Sequence, residues 1–390
     1  MIDNDYSGLK VAVLGSTGSV GTQALDVIRE LGCRVVFLSA RSNADLLSRQ
    51  TAEFLPDAVC LTDPDKADDF IVPENGKTEL FLGEDAHVKC IASLDADVII
   101  HAVSGLSGIP SALEASKKGV RLAVANKEAI ITLGDLILDN IKKSGGVLIP
   151  VDSEHSAIFQ CLLTNRGDLS QIRKLILTAS GGPFFGYTAE MLANVTPAMA
   201  LAHPTWKMGP KITVDSSTLM NKGFEIIEAV RLFGVDESAV EVVVHRQSII
   251  HSMVEYIDST VIAQLGSPDM RAPILYSLTY PERVGSPVAP LDLIGISKLT
   301  FDKPDDRVFP LLQTARRAIR EGGVAPATLI SADEAAVASF LEGTISFDKI
   351  PLVVEKTMDK ASNVRDVSVE NVFSAVSEAD RIAKKIIAEL

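Results

Sequence analysis

The chain has no CxxC pair, no long apolar run, few aromatic residues and less positive than negative charge. Each shortage excludes something. The four cysteines, at 33, 60, 90 and 161, stand far apart. They suggest neither a zinc knuckle nor a disulfide framework, so reduced structural thiols are expected. A membrane-spanning helix needs about 20 consecutive apolar residues, and no stretch approaches that, which predicts no membrane partner. With 37 Lys and Arg against 51 Asp and Glu, the formal net charge of -14 argues against general nucleic-acid binding. A local basic pocket for a small phosphate remains compatible with it. The polar start MIDNDYSGLK runs directly into a strand pattern, with neither a signal-peptide apolar block nor a transit segment. A cytoplasmic chain is the expectation, or an organellar one whose targeting segment has been removed.

What is present begins with size: 390 residues, 47% of them hydrophobic, exceed one ordinary core and predict two or three domains. Between 10 and 150, KVAVLG, RVVFLSA, DVIIHAV, VRLAVAN and GVLIPV alternate with helical patterns such as SVGTQALDVIREL. Buried parallel strands joined by crossover helices read this way, so residues 1–150 are expected to form a Rossmann-type, doubly wound α/β domain. From 151 to 280, KLILTAS, AVEVVVHR, IIHSMVEY and TVIAQLG lie close together and partly alternate in period two. They predict a central α+β domain with hairpin-connected strands. Segment 281–305, with Pro281, Pro287, Pro290 and Pro304 and little periodicity, reads as a linker. Residues 306–390 read as a helical bundle, with Ser368 as an N-cap before Val372, Phe373, Val376, Ala379, Ile382, Ala383, Ile386 and Ile387 at helical spacing.

Gly15-Ser16-Thr17-Gly18-Ser19-Val20-Gly21 follows the first strand and opens the first helix. Glycines there let the backbone turn tightly against a pyrophosphate whose charge meets helix N-terminal N–H groups. The spacing is G-x-x-G-x-x-G, and alone it also fits an ordinary tight βα turn. At the end of the second strand, where a carboxylate would grip a ribose 2′-OH, SARSN offers Arg41, with Ser42 and Asn43 as further donors. A guanidinium suits a 2′-phosphate, which favours NADPH over NADH, although an isolated arginine also reads as a solvated surface residue. AVSGLSG (102–108) and VANKE (124–128) follow later strands, so Asn126 and Lys127 are expected at the ligand crevice.

PVDSEHSAIFQ (150–160) ends an apolar strand in Asp152, Ser153, Glu154 and His155. Asp152 and Glu154 share a side if the segment is extended, and paired carboxylates invite a hard divalent cation such as Mg²⁺ or Mn²⁺. In DSSTLMNKGFEIIEAV, Asn221 and Glu225 lie four apart on one helical face beside Lys222, which makes them the best source of a third ligand. TASGGPF (178–184) is a further strand and glycine turn, and AHPTWKMGPK (202–211) carries the single tryptophan, Trp206, suited to an aromatic lid. Taken singly, each element also has a bland reading: a helix cap for Asp152 and Glu154, a surface His155, a core anchor for Trp206, a solvated face for Asn221, Lys222 and Glu225.

GSTGSVG, NKE, VDSEHSA, SGGPF, HPTWKMG and VDSSTLMNKGFEIIEA, in this order over nearly the whole chain, resemble the 1-deoxy-D-xylulose 5-phosphate reductoisomerase family. The resemblance implies an NADPH- and divalent-metal-dependent isomerisation and reduction of that sugar phosphate to 2-C-methyl-D-erythritol 4-phosphate, in non-mevalonate isoprenoid synthesis. It also implies a homodimer and a route through retro-aldol cleavage and recombination to an aldehyde that NADPH reduces. By motif it implies Asp152, Glu154 and Glu225 as metal ligands. Lys127 and Ser153 would contact substrate oxygens; Ser180, Ser216, Asn221 and Lys222 would take the phosphate and polyol; His203, Trp206 and Met208 fall on a closing loop. Lys127, Glu154 and His203 form the expected catalytic set, and Glu154 and Glu225 are expected to meet substrate as well. Gly18, Ser19, Val20 and Arg41 match dinucleotide contacts, and the same set extends to Thr17, Ala40, Ser42, Asn43, Asn126, Glu128 and Gly209. One departure is visible: the family loop often reads His-Pro-Asn-Trp, and Thr205 stands here in place of the Asn.

Two rivals stay open at this level. One is a simple NADPH dehydrogenase of the aspartate-semialdehyde or homoserine kind; the first needs an active-site thiolate, and Cys161 lacks a nucleophile setting. The other is a catalytically silent NADPH-binding sensor.

Overall fold

The computed structural model describes residues 5–73, 77–165, 167–206 and 208–390. The chain divides into two compact units: the first comprises 1–129, 135–156 and 269–290, the second 130–134, 157–268 and 291–390.

The first unit holds seven strands: β1 (Lys10–Leu14), β2 (Arg34–Ala40), β3 (Ala58–Leu61), β4 (Glu79–Leu82), β5 (Val98–His101), β6 (Arg121–Val124) and β7 (Val147–Pro150). Their order is β4-β3-β2-β1-β5-β6-β7, and every neighbouring pair is parallel. Val13 pairs with Leu38 on one side and Ile100 on the other. The expected doubly wound sheet is present, and the chain reverses direction across it between β1 and β5. β1, β2 and β5 are apolar runs because both faces are covered: Val11, Val13, Leu38 and Ile100 pack with Leu25 and Ile28 of the helix Ser19–Leu31.

The helix Arg271–Thr279 belongs to this same core through Ile274, Leu275 and Leu278. Arg121 ties down its end, with Nη1 donating to Leu278 O (2.5 Å) and Nη2 to Tyr280 O (2.6 Å). The structure thus groups 151–156 and 269–290 with the dinucleotide half, whereas the sequence pattern suggests a continuous 151–280 domain.

In the second unit, β8 (Ile172–Ala179), β9 (Val240–Val244), β10 (Ile250–Tyr256) and β11 (Val261–Leu265) form a sheet of order β11-β10-β8-β9. β8 and β9 are parallel, and β10 pairs antiparallel with both β8 and β11, so only β10 and β11 make the hairpin that the alternation suggests. Leu175, Leu177, Val242 and Val254 pack against Ile226, Ala229 and Phe233 of the helix Met220–Phe233. Leu312, from the helix Leu311–Glu321, enters the same core. The helical tail therefore folds as part of this unit. The helices Ala325–Leu341, Lys349–Lys360 and Val369–Ala388 complete it. Ser368 caps the last of these, accepting the Asn371 N–H at 3.1 Å. Among the described residues, no helix is long and apolar enough to cross a membrane.

Candidate active site

In the first unit the glycine turn sits where the sheet reverses. Gly15 adopts φ 80°, and a Cβ there would lie 2.6 Å from Ala102 O, in the loop after β5. A Cβ on Gly21 would lie 2.2 Å from Gly15 O. Only glycine lets the helix Ser19–Leu31 start this close to the turn. Gly18 is its N-cap with no side-chain acceptor, Gly18 and Ser19 are exposed, and Thr17 and Val20 half-buried. Unclaimed N–H groups at a helix start, on a backbone cradle that a Cβ would fill, fit a pyrophosphate. Ala40 is buried at the end of β2, with Arg41, Ser42 and Asn43 exposed beyond it. Asn43 Oδ1 is engaged as an N-cap, accepting the Leu46 N–H at 3.1 Å.

Asn126 is buried and works inside the protein. Its amide donates to Val103 O (2.7 Å), Gly105 O (3.0 Å) and Glu128 Oε2 (3.0 Å), and its Oδ1 accepts the Ala129 N–H (2.7 Å). It ties the loop after β5 to the start of the helix Lys127–Ser144. The Lys127 ammonium pairs with the Asp152 carboxylate.

Asp152 precedes the helix Ser153–Leu162, and its Oδ1 accepts the Glu154 N–H at 3.2 Å. Glu154 is therefore helical and the segment is not extended, yet a carboxylate oxygen of Asp152 and one of Glu154 still lie within 4.8 Å of each other. The chain needs an acceptor for the first free N–H groups of that helix, and Asp152 supplies it. Ser153 Oγ donates to Glu154 Oε2 at 2.5 Å. His155 is buried, with Nδ1 3.5 Å from Asp152 Oδ1.

In the second unit, Ser180, His203 and Ser216 meet. His203 Nε2 lies 3.0 Å from Ser180 Oγ and 3.1 Å from Ser216 Oγ. Its Nδ1 accepts the N–H groups of Thr205 (3.2 Å) and Trp206 (2.9 Å). Backbone N–H groups only donate, so Nδ1 carries no proton and Nε2 does. Burial, and then the Arg246 guanidinium, push the His203 pKa down to about 4. At neutral pH the ring is an uncharged donor aimed between two hydroxyls.

Trp206 and Met208 are half-buried in the same loop, where Lys207 lies outside the described residues. Trp206 approaches His251, with ring centroids 6.2 Å apart. The exposed Gly209 N-caps the helix Pro210–Thr218, which carries Ser216.

Asn221, Lys222 and Glu225 form one cluster. Asn221 Nδ2 donates to Glu225 Oε1 at 2.6 Å, and Lys222 pairs with Glu225 Oε2. Lys222 is 4% and Glu225 1% exposed, which excludes a solvated helix face. Asp152, Glu154 and Glu225 offer hard oxygen donors of the kind Mg²⁺ and Mn²⁺ take, so the donor chemistry fits such an ion. Arg246, absent from the sequence reading, donates from Nη1 to Ser180 O (2.9 Å) and Gly182 O (2.6 Å). Nothing in the strand pattern around HRQS signals that role. Cys161 is a buried free thiol whose pKa burial pushes up to about 11, which is no setting for a nucleophile.

A doubly wound parallel sheet with a glycine cradle at its switch point, accompanied by buried carboxylates and a neutral imidazole between hydroxyls, defines a dinucleotide-dependent oxidoreductase. Comparison with known proteins narrows this. Sequence profiles of 1-deoxy-D-xylulose 5-phosphate reductoisomerase match residues 11–134, and those of its C-terminal domains match 148–233 and 265–384. The reductoisomerase of Ruminiclostridium cellulolyticum is 46% identical over 378 residues, 97% of this chain and 99% of its own. That of Pseudomonas paraeruginosa is 42% identical, covering 96% of both chains. The solved reductoisomerase of Zymomonas mobilis in complex with NADPH superposes with TM-score 0.91 at 39% identity, over 98% of this chain and 100% of its own. A reductoisomerase structure in complex with NADPH, fosmidomycin and magnesium gives TM-score 0.92 at 36% identity, over 98% of both. The chain belongs to the 1-deoxy-D-xylulose 5-phosphate reductoisomerase family. The simple-dehydrogenase and silent-sensor readings give way to that membership.

Proposed function

We propose that this chain converts 1-deoxy-D-xylulose 5-phosphate to 2-C-methyl-D-erythritol 4-phosphate with NADPH and a divalent cation, and that the motif residues described above carry the reaction. The observation that carries the reading is the match over 97% of the chain to a curated reductoisomerase. Asp152, Glu154 and Glu225 would hold Mg²⁺ or Mn²⁺. Bound there, the ion supplies Lewis acidity to adjacent carbonyl and hydroxyl oxygens of the substrate, and NADPH supplies the hydride.

The chain's own groups bind and orient. The Gly18 backbone and the N–H groups of Ser19 and Val20 receive the pyrophosphate, and Arg41, with Ser42 and Asn43, takes the 2′-phosphate. Thr17, Ala40, Glu128 and Gly209 line the cofactor, while Asn126 shapes the loop beside it. Lys127 and Ser153 donate to the reacting oxygens of the substrate and fix their orientation. The remote phosphate is received by the Ser180 and Ser216 hydroxyls, His203 Nε2–H, Asn221 and Lys222, and contributes binding energy to loop closure. Trp206 and Met208 exclude water once that loop closes.

We assign the reaction to a reducing compartment, the bacterial cytoplasm, which suits four free buried thiols. A homodimer pairing through β11 would cover that strand's outer edge, where Val261 and Leu265 are exposed.

The test is oxidation of NADPH by the wild type and by Glu225→Gln, with Mg²⁺, Mn²⁺ or chelator, and identification of the product. Metal-dependent formation of the branched methylerythritol phosphate, lost in Glu225→Gln, is expected. Metal-independent turnover, or a variant as active as the wild type, overturns the ligand assignment.

A further inference from the structure

The turn between β9 and β10 is unusually well held. His245 N–H donates to Ala179 O (2.7 Å), its Nδ1 meets Thr300 O (2.8 Å), and its Nε2 accepts the Ile249 N–H (3.2 Å). The imidazole also stacks on Phe301, with centroids 5.0 Å apart. Next in the chain, Arg246 spends Nη1 on two carbonyls, Ser180 O and Gly182 O, that flank the start of the glycine turn. Its guanidinium lies 5.3 Å from the Phe185 ring centroid, so the same turn is held from a second direction. Arg246 makes no ion pair with a described carboxylate, and its Nε and Nη2 donate to no described residue.

That uncancelled charge matters because of its neighbours. Ser180, His203 and Ser216 are all uncharged donors, and the Lys222 ammonium already pairs with Glu225. A phosphomonoester dianion met by these neutral donors and one shared ammonium is incompletely compensated where water is excluded. Arg246 is close enough to His203 to depress its pKa, so its field reaches the ring that bridges the two serines.

We propose that Arg246 is a positioning residue for phosphate recognition: it clamps the Ser180–Gly182 turn from the β9–β10 side and sets a positive charge behind the Ser180–His203–Ser216 donors. The inference rests on the reading that those donors receive the substrate phosphate. It selects dianionic sugar phosphates over uncharged sugars through a charge carried by the backbone-anchored turn, in addition to the Lys222 contact.

Steady-state kinetics of Arg246→Gln, Arg246→Lys and Ser216→Ala, each at low and high salt and with melting temperatures, test it. Arg246→Gln should raise KM for 1-deoxy-D-xylulose 5-phosphate about tenfold, the scale of one charged hydrogen bond, and leave kcat within about threefold. Its KM should also depend less on salt than that of the wild type. Arg246→Lys, which keeps the charge, should restore KM to within about threefold. If Arg246→Gln fails to fold, the lysine variant decides: a folded Arg246→Lys whose KM rises tenfold or more overturns the charge role. Wild-type KM in Arg246→Gln, equal rises in both variants, or a fall in kcat alone also overturns it. Ser216→Ala separates the two levels. If it leaves KM unchanged, the phosphate reading itself fails; if it raises KM while Arg246→Gln does not, only the present inference fails.

Discussion

His203 offers two nitrogens with separable tasks, and two substitutions pull them apart. Asn places its amide oxygen near where Nδ1 accepts the Thr205 and Trp206 N–H groups, but cannot reach the Ser180 and Ser216 hydroxyls. Gln places its amide near Nε2 and loses the loop anchor. In His203→Asn one hydrogen bond to a dianion disappears, about 1.5–3 kcal/mol, so kcat/KM should fall about 10- to 150-fold. The Thr205 and Trp206 amides should stay protected from hydrogen exchange. In His203→Gln, two backbone bonds worth about 0.5–1.5 kcal/mol each are lost, so those amides should exchange about tenfold faster or more while a donor to the phosphate is kept. The pH dependence follows from the depressed pKa. With a folded value of about 4 against an ordinary 6.5, the ring stays neutral above about pH 4. The unfolded chain binds more protons across that window, so this group's stabilising contribution is lost as pH falls from about 6.5 to 4. It should give kcat/KM no inflection between pH 5 and 8. Variants that behave alike in exchange and kinetics would refute the reasoning. So would a wild-type inflection near pH 6.5 that vanishes in His203→Asn.

Three further outcomes are expected. Lys211 bridges buried Asp215 (2.6 Å) and Asp333 (2.8 Å); because it is a third exposed, Lys211→Met should cost about 2–3 kcal/mol, read as a melting-temperature loss of about 5–10 °C. Burial and the neighbouring Asp333 carboxylate raise Asp215 well above the carboxylate range. The fold there keeps a proton that the unfolded chain releases, so stability falls as pH rises above about 4, and Asp215→Asn should flatten that decline in melts between pH 5 and 8. Gly21→Ala would drive a Cβ to within 2.2 Å of Gly15 O. NADPH affinity, measured by fluorescence titration, should drop at least about tenfold as the helix start shifts, and unchanged affinity would sink the cradle assignment.

Legibility in the sequence followed burial geometry. The strands β1, β2, β5 and β6 could be read because double-sided burial writes continuous apolar runs, the edge strand β7 from its apolar VLIP despite exposure at its start, and Ser368 because capping is a local bond. β4 could not: ELFL is an edge strand with no buried position, so selection for packing leaves it little signature. The helix Arg271–Thr279 is buried from Pro273 to Thr279. With no polar face to orient it, its apolar stretch cannot tell which unit it joins. The extended reading of Asp152 and Glu154 failed for a local reason, since a strand ending in Asp-Ser-Glu is equally a strand ending in a helix start. Spacing reveals which groups share a helical face, as with Asn221 and Glu225; it does not reveal a contact such as Arg246 with the Ser180 carbonyl, which depends on the parallel register of β8 and β9.

The helix Met220–Phe233 shows why burial, more than motif, separates a site from a surface. Met220, Gly223, Phe224, Ile226, Ile227 and Ala229 are buried around it, so apolar residues at 222 and 225 would pack without electrostatic cost. The chain instead buries an ammonium and a carboxylate there. Replacing such a pair by well-packed apolar groups is commonly neutral or stabilising, whereas removing one partner costs about 3–5 kcal/mol. A stability argument alone therefore does not account for Lys222 and Glu225. Ionisable groups held dry at a stability disadvantage mark positions where charge serves binding or chemistry, and here they lie on the helix that directly follows the one carrying Ser216. On the proposed reading, Lys222 would meet the phosphate and Glu225 the divalent cation, which explains the cluster better than the fold it helps to close.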